Sequence, residues 1–455
     1  MKSKKHSFFK SLIILLLFVP CIFFFSACSN DIPFYEQAGY ESLEAMLEDL
    51  KGADGTDGVD GIDGVDGVDG SNGKDAPQET SYDIYLKAKE LGEYNGTYID
   101  FVKDVLKLTE TDEGVLANKN LASVVTIKTN SPSYGGQSGS GVIYRINGDY
   151  SAFILTNYHV TYCEGSHSPY EEYKLNLYGN DQTKEFQATY VGGSKNYDIA
   201  VLYVDPTNGK ALEDYGAVAA TLNTNDPIMG TKVFAIGNAR GKGLSITSGV
   251  VSVDSEYQIL SVGGSNPNVR LIRHDAYIFR GNSGGGLFNN KGELIGITNG
   301  GLSKGSTNNE ANLINFAIPA SAVKGVAENI IENCFGTTNK VIKTFDFGFT
   351  YESTTSSGTN GEIVSQTDYV YISLVDQSVI PNSPTLVRFD KIVSLSLSDG
   401  ETEIKKDITR THHVNDFLLL ANDSHTLKIE VSRNGEAENI VVELKVSELE
   451  ELNIS

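Results

Sequence analysis

Three residue types in this chain are placed where they could do nucleophilic chemistry. His159 stands in Thr156-Asn157-Tyr158-His159-Val160, Asp198 in Tyr197-Asp198-Ile199-Ala200-Val201, and Ser283 in Gly281-Asn282-Ser283-Gly284-Gly285. A serine hydroxyl is a weak nucleophile at neutral pH. It needs a histidine to take its proton and a carboxylate to hold that histidine in the right tautomer. It also needs backbone N–H groups aimed at the oxyanion that forms, and Gly281 and Ser283, with Asn282 between them, are the candidate donors. The chain holds seven histidines, and a lone one is usually structural or solvated. His167, His412 and His413 read as structural or solvated. His274 lies near Ser283 in sequence but has no comparable surroundings.

The flanking segments decide how these groups could be held. Ala152-Phe153-Ile154-Leu155 is a short apolar run ending just before His159, so the histidine sits at the end of a strand. Asp198 opens Ile199-Ala200-Val201-Leu202-Tyr203-Val204, and an acid at the mouth of such a run is costly to bury unless it is paired. Asp205, at the far end of that run and before Pro206, reads as a turn acid. Ser283 lies on a glycine-rich turn between β-segments, since Gly286-Leu287-Phe288 follows it and Glu293-Leu294-Ile295-Gly296-Ile297-Thr298 reads as a strand.

Together these words resemble the trypsin-like HtrA/DegP family of serine proteases. The likeness also takes in Gln137-Ser138-Gly139-Ser140-Gly141-Val142-Ile143, Val233-Phe234-Ala235-Ile236-Gly237-Asn238, Ser245-Ile246-Thr247-Ser248-Gly249-Val250-Val251 and Asn315-Phe316-Ala317-Ile318-Pro319. The resemblance implies an all-β, chymotrypsin-like pair of six-stranded barrels over residues 115–335. His159 and Asp198 would lie on the first barrel, Ser283 on the second, and a helix near Ser321 to Asn333 would close the domain. It further implies that Ile278 and Ile297 wall the primary pocket. No acid is in place to line that pocket, so the residue before the cut is expected to be small or aliphatic. Tyr158, Phe279 and Gly286 depart from the family's usual residues without removing a catalytic group.

Residues 343–447 alternate like β-structure, with helical spacing at Val414 to Leu420 and a hairpin through Asn434-Gly435. The order resembles the small α+β PDZ domain that follows the protease in the same family. That likeness implies that Phe347, Gly348 and Phe349 hold a peptide carboxylate while the peptide adds as a strand to the sheet. Phe389 stands where a glycine is usual, and 353–367 is a polar insertion.

Lys2, Lys4, Lys5 and Lys10 precede an apolar run, and Phe25-Ser26-Ala27-Cys28 looks like a bacterial lipobox. The expectation is a signal peptide at 1–27 and a lipidated Cys28, with an uncleaved anchor helix as the other reading. Either way the protein would be tethered at the extracytoplasmic face of a bacterial membrane. Glycine recurs every third residue from Gly52 to Gly73, so 52–75 reads as a collagen-like Gly-X-Asp spacer, or equally as an acidic flexible one. It is flanked by helical segments at 28–51 and 81–110. The resemblance to HtrA proteins implies a trimer, in which three spacers would meet.

The chain has 455 residues and a formal charge of −23, and the four lysines and no acid of the first 27 residues mean that their removal makes it more negative still. That balance argues against nucleic-acid partners and against charge-driven binding to anionic membranes. Away from the signal and Cys28, only Cys163 and Cys334 remain. They form no metal pattern, and a disulfide between them is open. No metal or cofactor motif is read. The expected function is a tethered serine endopeptidase acting on exported proteins in quality control or regulated cleavage. The alternative is a catalytically silent surface binding or adhesion protein that uses the PDZ-like domain.

Overall fold

Ala152–Thr156 and Ile199–Val204 carry nearly continuous apolar runs, and the fold explains why these two do not alternate. The computed structural model describes residues 88–89, 113–178, 185–301, 314–360, 363–381, 384–434 and 436–453. The chain divides into two units, Met1–Glu110 and Thr111–Ser455. The expected signal peptide, Cys28, the helical segments and the glycine repeat lie outside the described residues, apart from residues 88–89.

In the second unit, β1 (Val124–Asn130), β2 (Ser138–Ile146), β3 (Ala152–Thr156), β4 (Glu172–Leu177), β5 (Phe186–Ser194) and β6 (Ile199–Val204) close a barrel in the order β1-β2-β3-β6-β5-β4. One alternating set of side chains, including Val125, Ile127, Ile143, Ile154 and Leu202, forms a core belonging to this barrel. The other set, including Val124, Val142, Phe153, Leu155 and Val201, packs outward. Both faces of β3 and β6 are therefore buried, and these two strands read as solid apolar runs. Asp205, read as a turn acid, caps the helix α1 (Pro206–Asp214) by accepting from the Thr207 and Asn208 N–H groups.

The second barrel runs β8-β9-β12-β11-β10-β7, from β7 (Lys232–Gly237), β8 (Ser245–Ile259), β9 (Asn268–His274), β10 (Gly286–Asn289), β11 (Leu294–Gly301) and β12 (Asn315–Pro319). Its own core holds Val233, Ala235, Ile272, Leu287 and Ala317. Ile236, Phe288, Ile297 and Ile318 instead join the outward set of the first barrel and Val323, Val326 and Ile330 of α2 (Ala320–Cys334). This shared core locks the barrels edge to edge. Cys163 and Cys334 are both buried and free, which settles the open disulfide.

The C-terminal module is a sheet in the order β14-β15-β16-β18-β19, built from β14 (Phe349–Asn360), β15 (Ile363–Val375), β16 (Lys391–Ser398), β18 (Thr426–Ser432) and β19 (Ile440–Lys445). β17 (Glu403–Asp407) pairs with β16, and α3 (Thr411–Leu418) packs on the same core. The polar insertion is the outer part of the β14–β15 hairpin. β13 (Lys343–Phe345) pairs with β20 (Glu451–Asn453), so the module closes beyond residue 447. The expected hairpin forms, and its Asn434-Gly435 stretch is spanned by a bond from the Glu436 N–H to the Arg433 carbonyl at 3.1 Å. The β18–β19 ladder ends at Val431 and Ile440, and a wider loop joins them. Phe389 takes the left-handed conformation, φ 71°, where a glycine would sit without strain. Arg433 grips the adjoining Asp390 with two bonds of 2.7 Å.

A polar seam joins this module to the second barrel. Arg270 on β9 donates to Ser321 Oγ at 2.7 Å and to Asp416 on α3. His412 and His413 each place Nε2 3.0 Å from Asp226, and Arg410 bridges Asp226 at 3.4 Å and Asp254 at 2.5 Å. Burial alone would raise the Asp226 pKa. The two histidine bonds outweigh it and hold the carboxyl far below the usual range. Asp226, His412 and His413 bring metal-type atoms within 4.8 Å of one another. However, His413 Nδ1 accepts the Thr409 N–H at 3.3 Å, so the proton is on Nε2 and points at Asp226. The cluster reads as a hydrogen-bonded clasp. Arg270 and Asp416 are 6% and 8% exposed. Asp416→Ala is therefore expected to cost about 3 kcal/mol, because it leaves the buried Arg270 guanidinium only Asp226, at 3.9 Å, as a counter-charge, and Arg270→Met with Asp416→Leu much less. Urea unfolding of the two variants checks this, and equal losses would contradict it.

Candidate active site

β3 ends at Thr156, and the chain turns at once into a single helical turn, Tyr158–Thr161, that presents His159. Gln137 Nε2 holds the outside of that turn through the His159 carbonyl at 2.8 Å. Asp198 sits one residue before β6 in the left-handed region, φ 51°, which aspartate tolerates better than most residues. Its backbone carbonyl accepts from Tyr158 N–H at 3.1 Å and from Asn157 Nδ2 at 3.0 Å. Its carboxylate takes His159 N–H at 2.9 Å on one oxygen and faces His159 Nδ1 at 2.7 Å with the other. Asp198 is 1% exposed, so the interaction runs in a dry setting. Burial works to lower the His159 pKa, but the Asp198 charge and hydrogen bond outweigh it and hold the ring above its ordinary value.

A fourth residue completes this set, and the sequence reading missed it. Asn299, near the end of β11, donates from Nδ2 to Asp198 at 2.5 Å. Its backbone carbonyl also accepts the Ser283 hydroxyl at 2.9 Å. The serine oxygen thus rests on β11, and among the described residues it makes no hydrogen bond to His159. A rotation about the Ser283 Cα–Cβ bond is what would bring it to the imidazole.

The turn before Ser283 is held peptide by peptide. A trans peptide points its C=O and N–H in opposite directions, so fixing one aims the other. The Arg280 carbonyl accepts from Arg240 N–H at 2.7 Å, which turns the Gly281 N–H away from that loop. The Asn282 carbonyl accepts from Thr298 Oγ1 at 2.6 Å and from Gly285 N–H at 2.9 Å, which aims the Ser283 N–H. The Asn282 N–H is spent on the Phe279 carbonyl at 3.0 Å, so Gly281 and Ser283 remain as the free donors of the expected three. Gly281 has φ 101°, and a Cβ there would lie 2.3 Å from the Asn238 carbonyl oxygen.

Ser140 ties this turn to the first barrel. Fully buried on β2, it donates its N–H to the Ser283 carbonyl at 2.9 Å and its hydroxyl to the Gly281 carbonyl at 2.7 Å. The same oxygen accepts Asn238 N–H at 2.8 Å. Sequence reading had placed Ser140 in a glycine-rich strand, with nothing to mark its role.

The other candidates fall outside this group. Ile278 is half-buried against the second-barrel core. Ile297 has no exposed surface and packs in the shared core, so the expected pocket wall is corrected at that position. Phe347 is buried, and Phe349 packs against the module core. Gly348 already donates its N–H to Asp346 at 2.9 Å, so a peptide carboxylate would have to displace that side chain. His274 is fully buried, and burial pushes its pKa down to about 4, so it stays neutral.

Residues 139–297 match the family model of the trypsin-like peptidase domain. The chain carries a trypsin-like peptidase domain. Its relatives are serine proteases of HtrA and DegP type. One is the serine protease Do-like HtrA of Bacillus subtilis, 35% identical over 196 residues, which are 43% of this chain and 39% of that protein. Another is a probable periplasmic serine endoprotease, DegP-like, of Buchnera aphidicola, 30% identical over 314 residues, 68% and 56% of the two chains. A third is the serine endoprotease DegS of Haemophilus influenzae, 32% identical over 217 residues, 48% and 56%. The matched regions span 39% to 56% of the length of these relatives. The architecture agrees: mostly β, with two closed six-stranded barrels and the clustered groups drawn from both.

Proposed function

We propose that the chain is a serine endopeptidase of HtrA/DegP type. Ser283 is the nucleophile, His159 takes and returns its proton, and Asp198 holds the imidazole with Nδ1–H toward itself. The Gly281 and Ser283 N–H groups receive the oxyanion. The observation that carries this reading is the convergence on one turn. Two aimed, unspent N–H groups flank a serine whose hydroxyl rests on the same residue, Asn299, that also holds Asp198. An adhesion protein has no need of such an arrangement.

The wider assignment follows the relatives. Substrates are exported polypeptides, cut in quality control or regulated cleavage on the extracytoplasmic face of a bacterial membrane. Residues 1–27 with Cys28 supply the lipid anchor, 52–75 the spacer, 115–335 the protease and 343–447 the PDZ-like module, and the assembly is a trimer. β14 is an edge strand of the module's sheet, with α3 beside it bonded to Tyr351 through Asn415, which suits strand addition by a peptide. Among the described residues no helix is long and apolar enough to cross a membrane.

The test is labelling of the full chain with a fluorophosphonate probe beside Ser283→Ala. The native protein is expected to label at Ser283 and cleave an unfolded protein substrate, and the variant to do neither while unfolding at the same urea midpoint. Labelling that survives Ser283→Ala would refute the assignment.

A further inference from the structure

Three exposed basic residues lie on the turn that precedes Ser283 and on the loop bonded to it. Arg280 belongs to the turn and is exposed. Arg240 is exposed on the neighbouring loop, bonded to Arg280 through the backbone at 2.7 Å, with its guanidinium 4.8 Å from the centre of the Phe279 ring. Lys242 is exposed two residues on, its N–H bonded to the Ala239 carbonyl at 3.1 Å.

Among the described residues none of the three makes an ion pair or a side-chain hydrogen bond. Some exposed cations find acids, as Lys128 does in Glu185, Lys210 in Asp214 and Lys405 in Glu430, while others among the described residues, Lys291 and Lys324, do not. The nearest acid in sequence, Asp275, is turned to the Val250 N–H at 2.6 Å. Like charges gathered without a counterion repel one another, so the rim favours an incoming negative group. The Phe279 face keeps Arg240 at the turn while leaving its N–H groups unspent, and a guanidinium presents a fork matched to a carboxylate.

We propose that this rim selects polypeptides with aspartate or glutamate within about three residues of the bond to be cut. The substrate class deepens the proposed function and rests on it. The rim also answers a problem of charge. A chain at −23 repels acidic polypeptides at long range, and a local positive collar restores their access to this one turn.

The experiment uses the full chain and three quenched-fluorescent peptides with the same apolar residues at the scissile bond, flanked by Asp/Glu, by Asn/Gln or by Lys. The ratios of kcat/KM between peptides are read, with rates divided by the fraction of Ser283 that a fluorophosphonate labels in the same sample. The acidic peptide is expected to exceed the neutral one by about tenfold, at about threefold per added pair, and to lose most of that advantage at 0.5 M salt. Arg280→Gln and Lys242→Gln should each cut the ratio by about threefold, and Lys242→Glu should bring it near one. Lys242 lies on the neighbouring loop and not in the turn itself, so its variant is informative should Arg280→Gln fold poorly. A labelled enzyme that cuts all three peptides alike, or a preference that persists in both glutamine variants, overturns the rim. Failure of the native protein to label at all refutes the catalytic reading instead, and the substrate class falls with it.

Discussion

Asp198→Asn is expected to lower kcat by about 10⁴ while leaving the fold and substrate binding nearly intact. Three donors converge on this one carboxylate: His159 Nδ1–H at 2.7 Å, His159 N–H at 2.9 Å and Asn299 Nδ2–H at 2.5 Å. An amide in the same place must turn its NH₂ toward one of them. Facing His159, it would donate to Nδ1 and drive the proton to Nε2, the nitrogen that has to accept from Ser283. The pH profile separates this from simple misfolding. The folded His159 pKa is raised above its ordinary value of 6.5, because Asp198 outweighs the effect of burial. A general base works when neutral, so native kcat/KM should rise with pH through a midpoint above 6.5. In the variant the raising charge is gone, burial remains, and the midpoint should fall. The stability sign runs the other way. A raised histidine pKa stabilises the fold fully below 6.5, and that contribution fades as pH rises through the folded value. An unchanged midpoint in Asp198→Asn would contradict the pairing.

Gly281→Ala is expected to lower kcat by about 10²–10³, with KM changed far less. At φ 101° an alanine is strained in any surroundings, and its Cβ would meet the Asn238 carbonyl oxygen at 2.3 Å. The relief open to the chain is rotation of the Arg280–Gly281 peptide. That breaks the 2.7 Å bond from Arg240 N–H and withdraws the Gly281 N–H from the oxyanion. The fluorophosphonate rate should fall with kcat, since its phosphoryl oxygen uses the same two donors. Retention of the native labelling rate would show that Gly281 N–H is not one of them.

The three residues proposed for the chemistry were legible because each carries its context within a few residues: an apolar run before His159, another after Asp198, glycines around Ser283. Barrel strands buried on both faces likewise write themselves as apolar runs. Asn299 and Ser140 had no such signature. Their partners lie 101 and 141 residues away, and only the closed barrels bring them together. Ile297 looked available as a pocket wall because its strand is near Ser283, but the side of a barrel strand that faces the other barrel has no surface left. His412 and His413 read as unremarkable for a similar reason, since Asp226 is more than 180 residues from both. Asn434-Gly435 did mark its hairpin: the Glu436 N–H bonds the Arg433 carbonyl across it, although the ladder stops at Val431 and Ile440.

The Ser140 bonds also bear on when the molecule acquires its chemistry. One hydroxyl joins positions 98 and 141 residues away in the chain, so these contacts close only after long loops have been ordered, the slowest class of event in folding. Until β2 of the first barrel lies against the second, the Gly281 carbonyl lacks its donor and the Ser283 carbonyl lacks the Ser140 N–H. A nascent or partly unfolded copy therefore holds a serine and a histidine but no prepared turn. On the proposed reading, the turn that would receive the oxyanion is completed only when the two barrels meet.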